Sequence, residues 1–360
     1  MNFSALKNKR VFLTGHTGFK GSWLTLWLHR LGAQVYGYSL PPPTQPSNYA
    51  LANVRSLLCG ETIADIREGA VLRETLVAFR PDIVLHLAAQ PLVRASYAAP
   101  FETFDVNVMG TAGVLEAVRA NKRPCAVVCI TTDKCYENRE QPEGYCEHDP
   151  MGGHDPYSAS KGAAEILIAS YRRSFFHPDL LHNHGVQLAS ARAGNVIGGG
   201  DWARDRIITD MLTALTNHQP IPVRNPHAIR PWQHVLEPLS GYLSLACAML
   251  TSPDAKWASA WNFGPIPGSE IPVGELTNTF IKAWGAGTWI DQSARDQPHE
   301  ASLLRLNIEK ASRELNWHPR WNCAEMIART AHWYRQVLCE GGDARQACLA
   351  DIDAYGDILR

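Results

Sequence analysis

Short runs that are apolar on both faces recur along the first half of the chain, at Arg10–Thr14, Gln34–Tyr38, Ile83–Ala89, Ala126–Thr132 and Gln187–Ala193. A strand written this way must lie between two covering layers, as in a parallel sheet. Helical patterns fill the gaps, near Gly18–Leu31, Val71–Phe79, Thr103–Ala120 and Ser158–Phe175. Strand–helix–strand repetition with right-handed crossovers predicts an α/β fold, a Rossmann-type doubly wound parallel sheet. After Ala193 the rhythm breaks. Three glycines at Gly198, Gly199 and Gly200 and a Pro-rich stretch from Pro220 to Pro231 precede an apolar helix near Pro238–Leu250. A mixed tail follows, punctuated by Pro265, Pro267, Pro272, Pro298 and Pro319. The expected division is a doubly wound domain over 1–190, with a returning segment about 232–262. A smaller mixed α/β lobe over 191–231 and 263–360 would cover the sheet's carboxyl edge, where open α/β folds bind ligands. Pro41, Pro42 and Pro43 read as a stiff surface connection.

Composition narrows the classes. With 34 basic against 35 acidic side chains the net charge is −1, which argues against a nonspecific grip on nucleic acid or an anionic membrane. The best candidate for a membrane span, Pro238 to Pro253, is interrupted by Ser, Gly and Pro. Lys7-Asn8-Lys9-Arg10 runs straight into the first strand with no signal peptide between. The nine cysteines are scattered, and Cys125 and Cys129 are four apart, so CxxC spacing is missing. Reduced thiols and a cytoplasmic enzyme are expected. No helical histidine pair suits a metal, and none is expected.

Two patterns carry chemistry. Gly15-His16-Thr17-Gly18-Phe19-Lys20-Gly21 joins the first strand to the first helix. Glycines here let the backbone approach a pyrophosphate, whose charge meets the helix N-terminus. The spacing is GxxGxxG and its position marks a dinucleotide site. The second strand ends Tyr36-Gly37-Tyr38-Ser39-Leu40, with neither the carboxylate that holds ribose hydroxyls nor an arginine for a 2′-phosphate, which favours NAD over NADP. Asp65-Ile66 reads either as an adenine contact or as a helix cap. The second pattern is Tyr157 and Lys161, four apart on one helix face. A fixed ammonium beside a phenol of pKa ~10 favours the phenolate, which can take a proton from a sugar hydroxyl as hydride leaves for a nicotinamide.

Together these motifs resemble the extended short-chain dehydrogenase/reductase family over nearly the whole chain. His86-Leu87-Ala88-Ala89-Gln90 is similar to that family's strand beneath the cofactor, Asn107 falls in its NxxGT pattern, and Arg192–Gly198 looks like the loop whose Asn195 meets the substrate. Thr132-Asp133-Lys134 resembles the Thr-Asp-Glu of the sugar-nucleotide 4,6-dehydratases, with Lys in place of Glu. The glycine loop, Thr131–Tyr136, Arg192–Trp202 and Asn225–His234 all agree with that branch.

The resemblance implies that CDP-glucose becomes CDP-4-keto-6-deoxyglucose with NAD as cofactor and no net redox change. Cytidine rests on the resemblance alone. Tyr157 would deprotonate the 4-hydroxyl, Thr132 would position the 4-oxygen, and Lys161 would tune Tyr157 and hold the nicotinamide ribose. Asp133 would protonate the departing 6-hydroxyl, and Lys134 would either take the C5 proton or stabilise the enolate. For the cofactor the expected set is Gly15, Thr17, Gly18, Phe19, Lys20, Gly21, Asp65, Ile66, Leu87, Ala88, Ala89, Gln90, Asn107, Tyr157 and Lys161. For the substrate it is Asn195, Arg204, Arg206, Arg230 and His299, with Arg295 and Glu300 as helpers. Helices Thr103–Ala120 and Ser158–Phe175 carry apolar residues on more than one face (Val108, Leu115 and Val118; Leu167, Ile168 and Tyr171), and in resembling enzymes this pair builds a dimer contact. A homodimer or dimer of dimers is expected, supplying deoxysugars for surface polysaccharide. A 4-epimerase or reductase, or an NAD-binding regulator, remains as the alternative; Asp133 speaks against the first and the Tyr157/Lys161 pair against the last.

Overall fold

The computed structural model describes residues 3–141, 143–293 and 304–357. Side chains alternate sides along a strand, and the two halves of that alternation are both apolar here. Val11, Leu13, Ile83, Leu85, Ala126 and Val128 enter one buried cluster, while Phe12, Val84, Val127 and Leu188 enter another on the opposite face. The resulting sheet has seven parallel strands: β1 (Arg10–Thr14), β2 (Gln34–Ser39), β3 (Gly60–Ile63), β4 (Ile83–His86), β5 (Cys125–Ile130), β6 (Val186–Ala193) and β7 (Ala260–Phe263). Their order is β7-β6-β5-β4-β1-β2-β3. Chain direction reverses its progress across the sheet at β1 and β4, the switch point of a doubly wound fold.

Two of these strands lie outside the five runs that the apolar pattern predicts. β3 is an edge strand whose four positions, Gly60-Glu61-Thr62-Ile63, carry a single large apolar residue, and that one is exposed. β7 arrives after the long excursion 194–259 and pairs Ala260 with Ser190. Three further pairings build the lobe after Ala193: Val196–Ile197 with Gln233–His234, Ile229–Arg230 with Ile271–Pro272, and Ile221–Val223 with Trp289–Asp291. They hold the segment 198–231 above the carboxyl ends of the strands.

The helix expected over Thr103–Ala120 is longer and broken. It starts at Val93, restarts at Pro100, and passes through a π-turn at Asp105–Met109, where the Gly110 N–H donates to the Asp105 carbonyl, before running on to Asn121. Such turns often mark functional positions.

Helix Pro156–Ser174 is tied to the sheet by a buried ion pair. Glu165 accepts hydrogen bonds from Arg192 (2.8 Å), Ser190 (2.7 Å) and Thr131, and the pair's side chains are almost wholly enclosed. Burial alone would raise the Glu165 carboxyl; the Arg192 charge and these donors outweigh it and hold the group below its ordinary value. The stabilisation is therefore present at neutral pH and is lost as pH falls below about 4. Glu165→Ala is expected to lower unfolding free energy by about 3–5 kcal/mol in urea titrations at pH 7, since it strands a buried guanidinium. At pH 3 the gap between the two proteins should narrow; a gap independent of pH would refute the assignment.

Candidate active site

The carboxyl ends of β1, β4, β5 and β6 open into one cavity of about 1510 Å³, roofed by the lobe segments 193–210 and 222–232. That exceeds the volume usual for one small ligand, so two can lie side by side.

On the β1 side the glycine loop makes the wall. Gly15 has φ +77°, and a Cβ there would stand 2.8 Å from the Ala88 nitrogen; a Cβ on Gly21 would stand 2.1 Å from the Gly15 carbonyl oxygen. Only glycine allows the loop to fold this close to β4. Helix Phe19–Arg30 starts at Gly18 without a side-chain cap, leaving its first amides for an anion. Gly15, Thr17, Gly18, Phe19, Lys20, Gly21, Asp65, Ile66, Leu87, Ala88 and Ala89 all line the cavity. Asp65 takes a bidentate contact from Arg67, so its carboxylate is already engaged. Gln90 and Asn107 do not line the cavity and act from behind it. Asn107, inside the π-turn, accepts from the Gln90 amide (2.8 Å) and donates to the Gln90 carbonyl (3.1 Å) and to Ser160 (2.9 Å). Its carbonyl accepts from Thr111, which bonds His86, which bonds Thr14; the Thr14 hydroxyl oxygen accepts both the Leu87 and Ala88 amides. Burial drives His86 down to about 3, so it is a neutral relay.

A carboxylate does stand on the neighbouring strand β3, but it is not among the residues lining the cavity. Glu61 bonds His16 (3.0 Å) and Tyr49 (2.7 Å) and pairs with Arg55. Burial lowers His16, partly offset by Glu61. A short, polar edge strand carries no periodicity, so this residue was not legible.

On the β5 side Thr132, Asp133, Lys134, Tyr157 and Lys161 share the cavity. Thr132 donates to Asp133 (2.9 Å), and the Lys134 ammonium lies 3.4 Å from Asn195 Oδ1 and 3.6 Å from Asp133 Oδ1. Asp133 fits because residue 194 is glycine: a Cβ there would stand 2.8 Å from Asp133 Oδ2. Burial lifts Tyr157 to about 12 against the lowering effects of a Thr132 hydrogen bond and Arg206. Lys161 donates to the Ile130 carbonyl (3.4 Å), and burial brings it down to about 8.

Of the expected substrate contacts, Asn195, Arg204, Arg206 and Arg230 line the cavity. His299, Arg295 and Glu300 lie outside the described residues. Unforeseen members are Arg94, Asp201 and Arg224. Arg94 and Arg224 both reach Asp205 (3.4 and 3.5 Å), tying the β4 side to the lobe across the cavity mouth. No cluster of metal-ligating side chains occurs among the described residues.

Residues 12–254 match the GDP-mannose 4,6 dehydratase family. The chain is 50% identical over 350 residues to a CDP-glucose 4,6-dehydratase of Salmonella typhimurium, covering 97% of this chain and 96% of that one. It is 29% identical over 268 residues to a dTDP-glucose 4,6-dehydratase of Streptomyces antibioticus, 74% of this chain and 73% of the other. In fold it is similar to a dTDP-glucose 4,6-dehydratase from Streptomyces venezuelae solved with NAD, at a TM-score of 0.76 and 22% identity over 93% of this chain and 99% of that one.

The glycine loop makes its own prediction. Gly21→Ala forces a backbone shift, whereas a Cβ on Gly18 meets only the Gly15 oxygen at 3.4 Å. Overpacking of this kind costs about 1–3 kcal/mol, so Gly21→Ala should lower the melting temperature by roughly 2–10 °C and Gly18→Ala by about 2 °C or less. Equal losses in scanning fluorimetry would show that the close approach is not the constraint.

Proposed function

Because the chain belongs to the GDP-mannose 4,6 dehydratase family, we propose that it acts on CDP-glucose, removing water to give CDP-4-keto-6-deoxyglucose with NAD as cofactor. The observation that carries this reading is the meeting of Thr132, Asp133, Tyr157 and Lys161 on one cavity wall opposite the glycine loop. A 4-epimerase has no use for an acid at the 6-hydroxyl, and Asp133 supplies one.

The residues present suit NAD. The loop amides after Gly15 and Gly18 would hold its diphosphate, Asp65-Ile66 its adenine, Leu87–Ala89 its underside, and Tyr157 with Lys161 its nicotinamide ribose. Bound there, NAD supplies a hydride acceptor for C4 and a donor for C6. The protein's own part is proton handling. Tyr157 takes the 4-hydroxyl proton, with Thr132 holding the same oxygen through its hydrogen bond. The resulting ketone acidifies C5. As the C5 proton passes to solvent water in the cavity, the C6–O bond breaks and Asp133 gives its proton to the departing hydroxyl, releasing water. Lys134 sits between two oxygen acceptors, Asn195 and Asp133, an arrangement that suits an ammonium stabilising the enolate. Arg230 and Arg204 reach the substrate's diphosphate from the lobe.

The assembly we propose is a homodimer or dimer of dimers. The two helical segments 93–121 and 156–174 expose Phe101 (84%), Met109 (62%) and Ile166 (58%), while Leu115, Val118 and Ile168 face the sheet. Large apolar side chains clustered on neighbouring helices favour burial against a second copy. The product, made in the cytoplasm, would feed deoxysugars of surface polysaccharide. Among the described residues no helix is long and apolar enough to cross a membrane.

Incubation with CDP-, UDP-, dTDP- and GDP-glucose is expected to give the alkali-developed 4-keto chromophore with CDP-glucose, and deuterium at C4 should reappear at C6. Stoichiometric consumption of NAD, or turnover without loss of water, would overturn the proposal. Asp133→Asn should slow dehydration by about 10²–10⁴-fold while leaving C4 oxidation detectable as transient NADH absorbance. Gly194→Ala, which displaces the Asp133 carboxylate, should reproduce that pattern at about 10²-fold. Lys134→Met should retain solvent exchange at C5; its abolition would make Lys134 the base.

A further inference from the structure

Lys20 brings a charged side chain to a wall that the glycine loop otherwise builds from main chain. It lines the cavity, and among the described residues its ammonium makes no hydrogen bond or ion pair. Facing it across the cavity are Asp201 and Arg206, on the loop that follows the Val196–Ile197 pairing. Lys20 and Asp201 feel each other's charge without touching, and Arg206 is close enough to act on both.

Asp201 is held with little freedom. Its amide donates to the Tyr334 hydroxyl (2.8 Å), and that hydroxyl donates back to the Asp201 carbonyl (2.7 Å). Its carboxylate accepts from the Ala203 amide at 3.0 Å. On the same loop the Arg206 Nε is buried with no hydrogen-bond partner. A buried guanidinium N–H without an acceptor is costly unless a ligand completes it. Lys20, Arg206 and Lys161 stand against the carboxylates Asp133 and Asp201 on the walls of this cavity, an excess of positive charge. An ammonium without a counter-ion and an arginine N–H without an acceptor, one from each wall, form the protein half of an oxyanion site.

We propose that Lys20 and Arg206 are side-chain ligands for the phosphate oxygens of a diphosphate lying between the glycine loop and the 198–206 loop. The inference rests on the reading of this cavity as a site for NAD and a nucleotide-sugar. Both carry a diphosphate, so the chemistry is common to cofactor and substrate. Burial, with Arg206 and Lys161 nearby, brings Lys20 down to about 8. The charge is thus present at pH 7 and leaves as pH rises past that value, taking anion affinity with it.

Calorimetric titration of the apo protein with NAD, and separately with CDP, tests this. Wild-type binding of the two ligands upholds the parent reading whatever the variants do. Lys20→Met is expected to weaken at least one of them tenfold or more at pH 7. Loss confined to NAD assigns the cofactor diphosphate, loss confined to CDP assigns the substrate's, and loss of both puts the ammonium between them. For the affected ligand, wild-type affinity should fall several-fold from pH 7 to pH 9, and Lys20→Arg, which keeps its charge, should not show that fall. Lys20→Met binding both within twofold of wild type overturns the proposal. So does an equal pH-dependent fall in wild type and Lys20→Arg, a comparison that stands even if the methionine variant folds poorly.

Discussion

The backbone of Gly15 lies against the backbone of Ala88, and the geometry of the cavity follows from that contact. β1 and β4 are neighbours in the sheet, yet the chain leaves them in opposite directions, so a gap must open between their ends. Thr14 closes the floor of that gap by accepting the Leu87 and Ala88 amides, and the left-handed Gly15 turns the loop back over it. With no Cβ at 15 or 21 the loop stays low, and the first turn of helix Phe19–Arg30 points its amides along the cavity floor. Anything bulkier would lift that helix end and misdirect it.

The second wall is aligned through polar groups that never meet a ligand. From Thr14 a buried chain runs through His86 and Thr111 to Asn107, and from Asn107 to Ser160, one turn of helix from Tyr157. Each link is a neutral donor or acceptor, so the chain can be fully buried without stranding charge. Beyond it, Glu165 and Arg192 fix the same helix against β5 and β6. The tyrosine and lysine are thus set from both sides while the cavity surface stays free for ligands.

The seven-strand architecture was largely legible because five strands are apolar on both faces and only a parallel sheet between helices explains that. The glycine loop and the Tyr157/Lys161 pair were legible because each chemistry demands a local spacing. β3 was not, since an edge strand with one exposed apolar residue has no pattern to find, and Glu61 was lost with it. Asp201 stood in a quoted motif, but its carboxylate takes its meaning from Lys20 and Arg206, which only folding brings near. The break at Pro100 and the π-turn at Asp105–Met109 were also hidden, because helical periodicity over Thr103–Ala120 reads through a single surplus residue. Leu115 and Val118 are on the face that packs on the sheet, and the outward face belongs to Phe101 and Met109.

That surplus residue also sets the phase of the helix. One added position in a helix rotates everything upstream by about 100° relative to everything downstream. The segment therefore serves two masters: downstream of the insertion its side chains answer to the sheet, and upstream to the outer surface and the Gln90 corner. Point substitutions cannot convert one phase into the other. Deleting the extra residue would therefore disturb both faces at once, so the length of this stretch constrains the packing as strictly as the identity of any side chain on it.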